Sequence, residues 1–532
     1  MTPETLLSLL NATPGWAAQA AAADLDDTAT LQILSEAAKV AGTTLAPMAA
    51  RADETGCRVE QGRVRTPEGY GDAFRQMGAD GWIASDLGSD LGGMDMPLAL
   101  HAAASLPMEG AALPFMMLLG STRAAAHCLA ATAPDLAAEW CPKLASGEWA
   151  ATICISEPDA GSDVGRIRTK AMPAGDGWTV SGTKCWISFG DHDMAERIGH
   201  LCLARTGAPE DGTRGLSLFL VADTLDDGTR NGIFVERIEE KLGLHGSPTC
   251  VLRFETAEAS LIGTPGRGLP ALFNMIELMR LQVGVQGAGV AATCATLARD
   301  YADDRRQGGR PDAAPVAIAS HPDVRRQLWQ MEARALIATA LVVETAVTLG
   351  DAHAGNTEAA ALSAFLLPLA KTFGGELGQA NADAAIQVLG GAGYTREWPA
   401  ERHFRDVRIT TVYEGTTGMQ AQDVLFRRLL KDGPAIRAAL LARLDGGSVF
   451  PTLLARLDTL VERLSGATPA AQALAADAAL RAAWEVVAAG LAERLRAALG
   501  QEDALDLWLF GAAARMGVAE ASVDWALAVS DR

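Results

Sequence analysis

Val412-Tyr413-Glu414-Gly415-Thr416-Thr417 sets one carboxylate between an aromatic ring and a glycine–threonine turn. An unperturbed Glu titrates near ~4.3, and burial beside an aromatic ring lifts it toward the range of a general base. Upstream, Gln387, Gly390, Gly391, Gly393 and Tyr394 form a glycine-rich segment, with Arg405 and Asp406 between the two. That segment follows a helical pattern rather than a strand, so it is no dinucleotide fingerprint of the nicotinamide-binding kind. Far upstream stand Ser156-Glu157-Pro158 and Gly161-Ser162-Asp163, in a region of a different periodicity.

Outward from these stretches the chain divides by pattern. Its 532 residues exceed one core, since single cores stop growing near ~250–300 residues. From Glu4 to about Trp149, Ala and Leu recur at three-and-four spacing, as in Leu31, Leu34, Ala37, Ala38 and Ala41, which predicts an all-helical lobe. Gly92-Gly93-Met94-Asp95-Met96-Pro97 reads as a loop within it. Between Ala150 and Gly263, Trp178 to Gly182, Leu216 to Val221, Ile233 to Ile238 and Thr249 to Phe254 read as strands. Asp176-Gly177, Asp211-Gly212 and Asp227-Gly228 supply turns, which predicts an antiparallel β domain. Beyond Gly268 the helical period returns at Val324, Leu328, Met331, Ala335, Thr339 and Val342, implying a bundle. Past Leu430 an Ala, Leu and Arg-rich stretch predicts an appended helical domain, with Val461, Leu464, Ala471, Leu474 and Leu480 on buried faces. The expected fold class is α+β, mainly α, with domains at 1–149, 150–263, 264–432 and 433–532.

Asp and Glu number 65 against 45 Lys and Arg, a formal charge of −20, which repels a nucleic-acid backbone. Eight cysteines lack the short paired spacing of metal sites or disulfide frameworks and read as buried thiols in a reducing compartment. No secretory signal is apparent at Met1-Thr2-Pro3-Glu4, and the apolar runs Ala112 to Leu119 and Ala335 to Val343 fall short of the ~20 residues of a membrane helix. A cytoplasmic protein, not bound to membrane, is the expectation. Asp191-His192-Asp193 reads as a loop contact rather than a metal site.

Taken in order along roughly residues 30 to 430, these motifs resemble the acyl-CoA dehydrogenase family of flavoproteins, and the fold expected is that family's. The resemblance implies FAD as cofactor and removal of a proton next to an acyl thioester, with hydride leaving the adjacent carbon. Glu414 stands at the family's Tyr-Glu-Gly-Thr base, whose backbone N–H also helps to hold the thioester oxygen. Some branches place the base immediately before an arginine in the first long helix after the sheet; here Met279 precedes Arg280. Glu277 and Arg280 share a helical face, as substrate-orienting groups or simply as an ion pair.

The same resemblance assigns flavin contacts to Ile155 and Ser156, to Ser162 beside the CoA side of the thioester, and to Trp186 and Ser188. Arg305 and Gln307 match the pair that reaches the FAD pyrophosphate across a subunit interface. Gln387, Gly390 and Gly391 would let a neighbouring protomer approach the same dinucleotide, which predicts a homodimer or higher oligomer. Thr416 is implied as a further cofactor contact, and Ser162, Glu277, Arg280 and Gly415 as substrate contacts.

Ser188 to Asp193, Lys241 to Cys250 and His321 to Arg326 are most similar to the branch of 3-methylmercaptopropionyl-CoA dehydrogenases. That implies a short or thioether acyl-CoA substrate, a place in dimethylsulfoniopropionate catabolism, and an electron-transfer flavoprotein as acceptor. Three alternatives stand beside it: a general short or medium fatty acyl-CoA dehydrogenase, an oxidase on the same fold, and a catalytically silent flavin-binding relative.

Overall fold

The computed structural model describes residues 1–444, 446–500 and 502–529, and the chain separates into two compact units. A sheet unit comprises Gly42–Met96 and Ala112–Met279; a helical unit comprises Met1–Ala41, Pro97–Ala111 and Arg280–Arg532. One division falls inside the helix Leu98–Thr132, at Ala112, whose φ of −145° and ψ of 53° are not helical. Pro114 accounts for the break, because its ring crowds the carbonyl of Gly110 and it has no N–H to donate.

In the sheet unit, β1 (Arg58–Glu60) and β2 (Arg63–Arg65) pair as a hairpin, so the N-terminal region expected to be all helical is not. Gln61 and Gly62 both have positive φ, 51° and 75°, the primed turn that a two-residue hairpin needs. Gln-Gly is a weaker sequence signal for that turn than Asn-Gly. The main sheet has seven strands: β3 (Trp149–Cys154), β4 (Lys170–Ala174), β5 (Gly177–Ser188), β6 (Arg197–Arg205), β7 (Leu216–Ala222), β8 (Ile233–Ile238) and β9 (Thr249–Ile262). Their order is β3-β6-β4-β5-β9-β7, with β8 on β9 and β7 pairing back onto β6. Each pairing is antiparallel except those of β6 with β3 and, at Lys170 and Arg205, with β4. Cys154, Val180, Cys202, Phe219, Val221, Leu252 and Phe254 fill the interior. Arg63 pairs with Asp191 at 2.9 Å, and Thr66 Oγ1 donates to Asp193 at 2.7 Å, so the acidic loop residues tether the hairpin.

The helical unit depends on glycines. Where the helix Phe273–Asp304 crosses the helix Thr357–Leu389, a Cβ on Gly378 would stand 2.6 Å from Gly287 O, and one on Gly374 would stand 2.6 Å from Gly284 O. A Cβ on Gly287 would run into the carbonyl of Gly374. Gly110 meets Gly289 in the same way, at 2.6 Å from its carbonyl oxygen, and Gly375 meets Thr410 Oγ1 at 2.6 Å. Only backbones without side chains can approach this closely.

The appended helices, Leu430–Leu444, Val449–Ser465, Pro469–Leu499 and Glu502–Val529, join this unit rather than trailing from it. Trp484 stacks on Phe373 with centroids 4.4 Å apart and an interplanar angle of 9°. Arg494 reaches Glu344 at 2.7 Å, where Arg443 also binds, and Arg481 reaches Glu376 at 3.0 Å. Leu464, Ala471 and Leu480 are buried as expected, whereas Leu474 is 47% exposed and faces solvent.

Leu98–Thr132, Met275–Asp304 and Pro322–His353 are each long and apolar enough to cross a membrane, contrary to the estimate from uninterrupted apolar runs. Their apolar windows are 83%, 72% and 83% buried inside the fold. Helical spacing spreads the apolar residues among polar ones, so counting unbroken runs underestimates such helices. The cysteines are free thiols, all buried apart from the half-buried Cys57.

The crossing predicts a sharp asymmetry between two glycines. Gly287→Ala should destabilise the protein by about 1–3 kcal/mol through overpacking, whereas Gly391→Ala, with nothing within 4 Å of its added Cβ, should stay within about 0.5 kcal/mol. Thermal unfolding of the two variants side by side checks this, and equal melting temperatures would contradict it.

Candidate active site

Glu414 sits between the 3-10 turn Arg408–Thr411 and the short helix Thr417–Gln422. Its φ is 54° and that of Gly415 is 90°, two successive residues in the left-handed region. A non-glycine residue there costs on the order of 1–3 kcal/mol and persists only when its surroundings impose it. Gln420 imposes it: this fully buried side chain donates to Glu414 O at 3.0 Å and to Gly415 O at 3.3 Å, bracing both carbonyls of the turn. The Glu414 side chain is thereby aimed by backbone geometry.

Glu414 as a residue is half-buried. Burial nevertheless raises its carboxyl above the ordinary value, while the charges of Arg280 and Lys371 act in the opposite direction. Arg280, near the start of the long helix, also binds Asp423 at 3.3 Å. Asp423, from a distant segment, thus supplies Arg280 with a carboxylate. Asp423 further draws Arg428 to 3.5 Å, so it holds Arg280 as part of a small ionic cluster.

Behind Glu414 runs a polar chain. The Tyr413 hydroxyl donates to Gln286 Oε1, and burial holds this phenol well above its usual pKa. Gln282 Nε2 donates to Glu109 Oε1 at 2.7 Å, and Gln286 stands near enough to favour the charged form of the same carboxyl. Glu109 is completely buried, its Oε2 has no hydrogen-bond partner among the described residues, and burial pushes its carboxyl up to about 8. The close approach of Gly110 to Gly289 brings Glu109 beside the helix that carries both glutamines.

The remaining positions read from sequence fall in two places. In the sheet unit, Ile155 O and Leu203 O each accept from the Lys184 ammonium at 2.8 Å, and Glu157 accepts from it at 2.9 Å. Burial would raise the Glu157 carboxyl, but Lys184 and hydrogen bonds from Thr169 and Arg168 hold it below its ordinary value. The Cys185 N–H donates to Ser156 O at 3.0 Å, completing a rigid seat for this segment. Ser156 and Ser188 are half-buried, and their hydroxyls bond to no described protein group. Between Lys184 and Ile187 the register of β5 against β9 slips, and Trp186 at φ 64° is turned outward, 63% exposed. Ser162 is exposed and Glu277 is half-buried.

In the helical unit, Arg305 and Gln307 are exposed just past Asp304, where the long helix ends. The Gln307 N–H donates to Val316 O at 2.8 Å, which folds this segment back on itself. Gln387, Gly390 and Gly391 are exposed at the end of the helix Thr357–Leu389; Gly390 has φ 63°, and neither glycine has an atom within 4 Å of where a Cβ would stand. Thr416 is exposed at the N-terminus of the short helix. In the sheet unit the half-buried hydroxyls of Ser156 and Ser188 and the outward Trp186 indole are groups that can hydrogen-bond and stack on a ligand; in the helical unit the exposed Arg305 guanidinium is suited to a phosphate, and Gly390 and Gly391 leave open backbone.

Glu109, Gln282, Gln286, Lys371 and Gln420 do not stand out in the sequence as functional residues. A signal existed for two of them: Lys371 ends the apolar run Phe365 to Ala370, and Glu109 interrupts an Ala and Leu-rich helix. Charged residues on otherwise apolar helix faces are seldom fully buried without a reason.

The domain descriptions "Acyl-CoA dehydrogenase, N-terminal domain", "middle domain" and "C-terminal domain" match residues 28–148, 152–257 and 266–429. The chain is 39% identical over 416 residues to the 3-methylmercaptopropionyl-CoA dehydrogenase of Ruegeria pomeroyi, covering 75% of this chain and 70% of that protein. It is 36% identical over 394 residues to the broad-specificity linear acyl-CoA dehydrogenase FadE5 of Mycobacterium tuberculosis, covering 69% of this chain and 64% of that one. The solved structure of an acyl-CoA dehydrogenase complexed with FAD from Bacillus anthracis superposes with a TM-score of 0.78 at 20% identity, over 94% of this chain and 88% of that one, which speaks to the fold alone.

The buried acid at 109 predicts a pH effect with a definite sign. Its carboxyl titrates near 4.5 when unfolded and about 8 in the fold, so between those values the folded form holds a proton that the unfolded chain releases. Its contribution to stability is therefore complete below about 4.5 and is lost as pH rises through about 8. Glu109→Gln cannot titrate, so relative to the native chain it should gain at least ~1 kcal/mol between pH 5 and pH 8. Unfolding curves of both proteins at the two pH values measure this; parallel behaviour would show that the acid does not titrate in that window.

Proposed function

The chain belongs to the acyl-CoA dehydrogenase family of FAD-dependent oxidoreductases, and from that premise we propose that it desaturates a short or thioether acyl-CoA at the α,β bond, with Glu414 as base. The observation that carries this reading is the Glu414 turn: a carboxylate in a left-handed backbone, braced by Gln420 and raised by burial. A base so placed loses little entropy on reaching its proton, because the backbone has already set its direction.

On this reading Glu414 takes the α-proton, and its backbone N–H stabilises the negative charge that develops on the thioester oxygen, an effect commonly worth several kcal/mol. FAD, when bound, supplies the acceptor for the β-hydride. Ile155, Ser156, Ser162, Trp186 and Ser188 are proposed to contact the flavin, with Ser162 also toward the thioester. Arg305, Gln307, Gln387, Gly390, Gly391 and Thr416 are proposed for the dinucleotide, some of them across a homodimer interface. Glu277, Arg280 and Gly415 are proposed to line the substrate. An electron-transfer flavoprotein is the proposed acceptor, and the cytoplasm the proposed location.

The relative from Ruegeria pomeroyi supports 3-methylmercaptopropionyl-CoA as the substrate. A second reading, a broader dehydrogenase of linear acyl-CoAs, is favoured by the similarity to the mycobacterial protein, whose name states that specificity. Sulfur makes only soft, weakly directional contacts, so the two readings differ in pocket shape rather than in one diagnostic residue.

Anaerobic mixing of the holoenzyme with 3-methylmercaptopropionyl-CoA should bleach the flavin, and admitting air should yield little peroxide; rapid stoichiometric peroxide would identify an oxidase. Butanoyl-CoA bleaching the flavin as fast as the thioether would favour the broader reading. Glu414→Gln should keep FAD and CoA ligand binding while turnover drops at least ~100-fold. Full turnover by that variant would remove Glu414 from the role of base.

A further inference from the structure

Among the described residues two lysines have no exposed surface, and they are treated differently. Lys184 is satisfied, with Ile155 O and Leu203 O at 2.8 Å and the Glu157 carboxylate at 2.9 Å. Lys371 has no hydrogen-bond partner for its ammonium among the described residues. A buried unpaired cation is costly, and a fold that retains one calls for an account of the charge that offsets it.

Helix packing fixes where Lys371 stands. It follows Ala370, whose carbonyl lies 3.0 Å from the position of a Cβ on Gly284, and Arg280 is one turn before Gly284 on the crossing helix. One turn beyond Lys371, Gly375 packs on Thr410, and from there the chain reaches Glu414 in four residues. Lys371 is thus held at the junction of Arg280 and the Glu414 turn. The charges acting on it, in order, are Glu414, Arg280 and Glu376. Glu376 is already bound by Arg481 at 3.0 Å, and Arg280 by Asp423 at 3.3 Å. Among the described residues Glu414 forms no ion pair, so the two uncommitted charges at this junction are Lys371 and Glu414. Tyr413 and Glu109, on the far side of the turn, are groups whose burial favours their neutral forms.

We propose that Lys371 is a positioning residue for Glu414, a buried ammonium whose charge, together with Arg280, keeps the carboxylate ionised without occupying its oxygens. A direct salt bridge would do the first and spoil the second, because bidentate contact would engage the lone pairs that must receive the substrate proton. Charge acting from beyond hydrogen-bond distance avoids that conflict. Burial also brings Lys371 itself down to about 8, so it stays mainly cationic through neutral pH, where the base must be free.

The inference rests on Glu414 being the base, and its test separates the two ideas. The measurement is the pH dependence of flavin reduction by saturating 3-methylmercaptopropionyl-CoA, in single anaerobic turnovers of the FAD-loaded protein. Lys371→Met should retain the flavin spectrum, and its acid limb should move upward by about one pH unit, with about tenfold slower reduction below the limb and convergence above it. Lys371→Arg, which keeps the charge, should leave the limb within a few tenths of a unit of native. If the methionine variant does not fold, Lys371→Gln carries the same expectation as Lys371→Met. A folded, flavin-loaded neutral variant whose acid limb does not move, or whose defect lies in KM alone, overturns the role of Lys371. Glu414→Gln run in parallel tells the cases apart: if it turns over normally, the base itself was misassigned.

Discussion

The approach of two helix backbones, with no side chain between them, is the constraint on which the helical unit depends. Gly284 and Gly287 on the helix Phe273–Asp304 face Gly374 and Gly378 on the helix Thr357–Leu389, at separations that a single Cβ would forbid. That contact brings Arg280, Gln282 and Gln286 on one helix to the neighbourhood of Lys371 on the other. Gly375, on the second helix, receives Thr410 and so fixes the chain just before Glu414. Close packing of small residues therefore does electrostatic work at one remove, by deciding which charges share a low-dielectric space.

Within that space the carboxylate at 414 is subject to opposing influences of comparable kind. Burial favours its neutral form, and two cations favour the ionised one. Among the described residues neither cation forms an ion pair with it; Arg280 is committed to Asp423, and Lys371 has no hydrogen-bond partner. On the proposed reading of Glu414, this balance between burial and nearby cations is what a base requires. The neutral polar chain from Tyr413 through Gln286 to Glu109 adds donors and acceptors without adding a formal charge while Glu109 keeps its proton.

The appended helices take part in the same body. Trp484 against Phe373 and Arg481 on Glu376 both act on the helix that carries Lys371. Arg443 and Arg494 converge on Glu344, a buried acid on the adjacent helix Pro322–His353. These contacts stiffen the back of the unit, where packing to crystal-like density transmits small displacements efficiently.

Periodicity and turn residues by themselves established the alternation from helical to strand-rich to helical sequence, the four strands that were read, and the helical character of the last stretch. The motif at Tyr413-Glu414-Gly415-Thr416, in order with Ser156-Glu157 and Gln387 to Gly391, established the family, because short-range chemistry is written in consecutive residues. The hairpin at Arg58–Arg65 and the parallel pairing of β3 with β6 were not legible, since the first lacks a strong turn dipeptide and the second joins strands far apart in sequence. Nor could the sequence say that Arg280 would meet Asp423, or that Lys371 and Glu109, from separate helices, would act on Glu414 and Tyr413. Those pairings depend on the depth and angle of helix crossings, which glycines permit but only the packed whole decides.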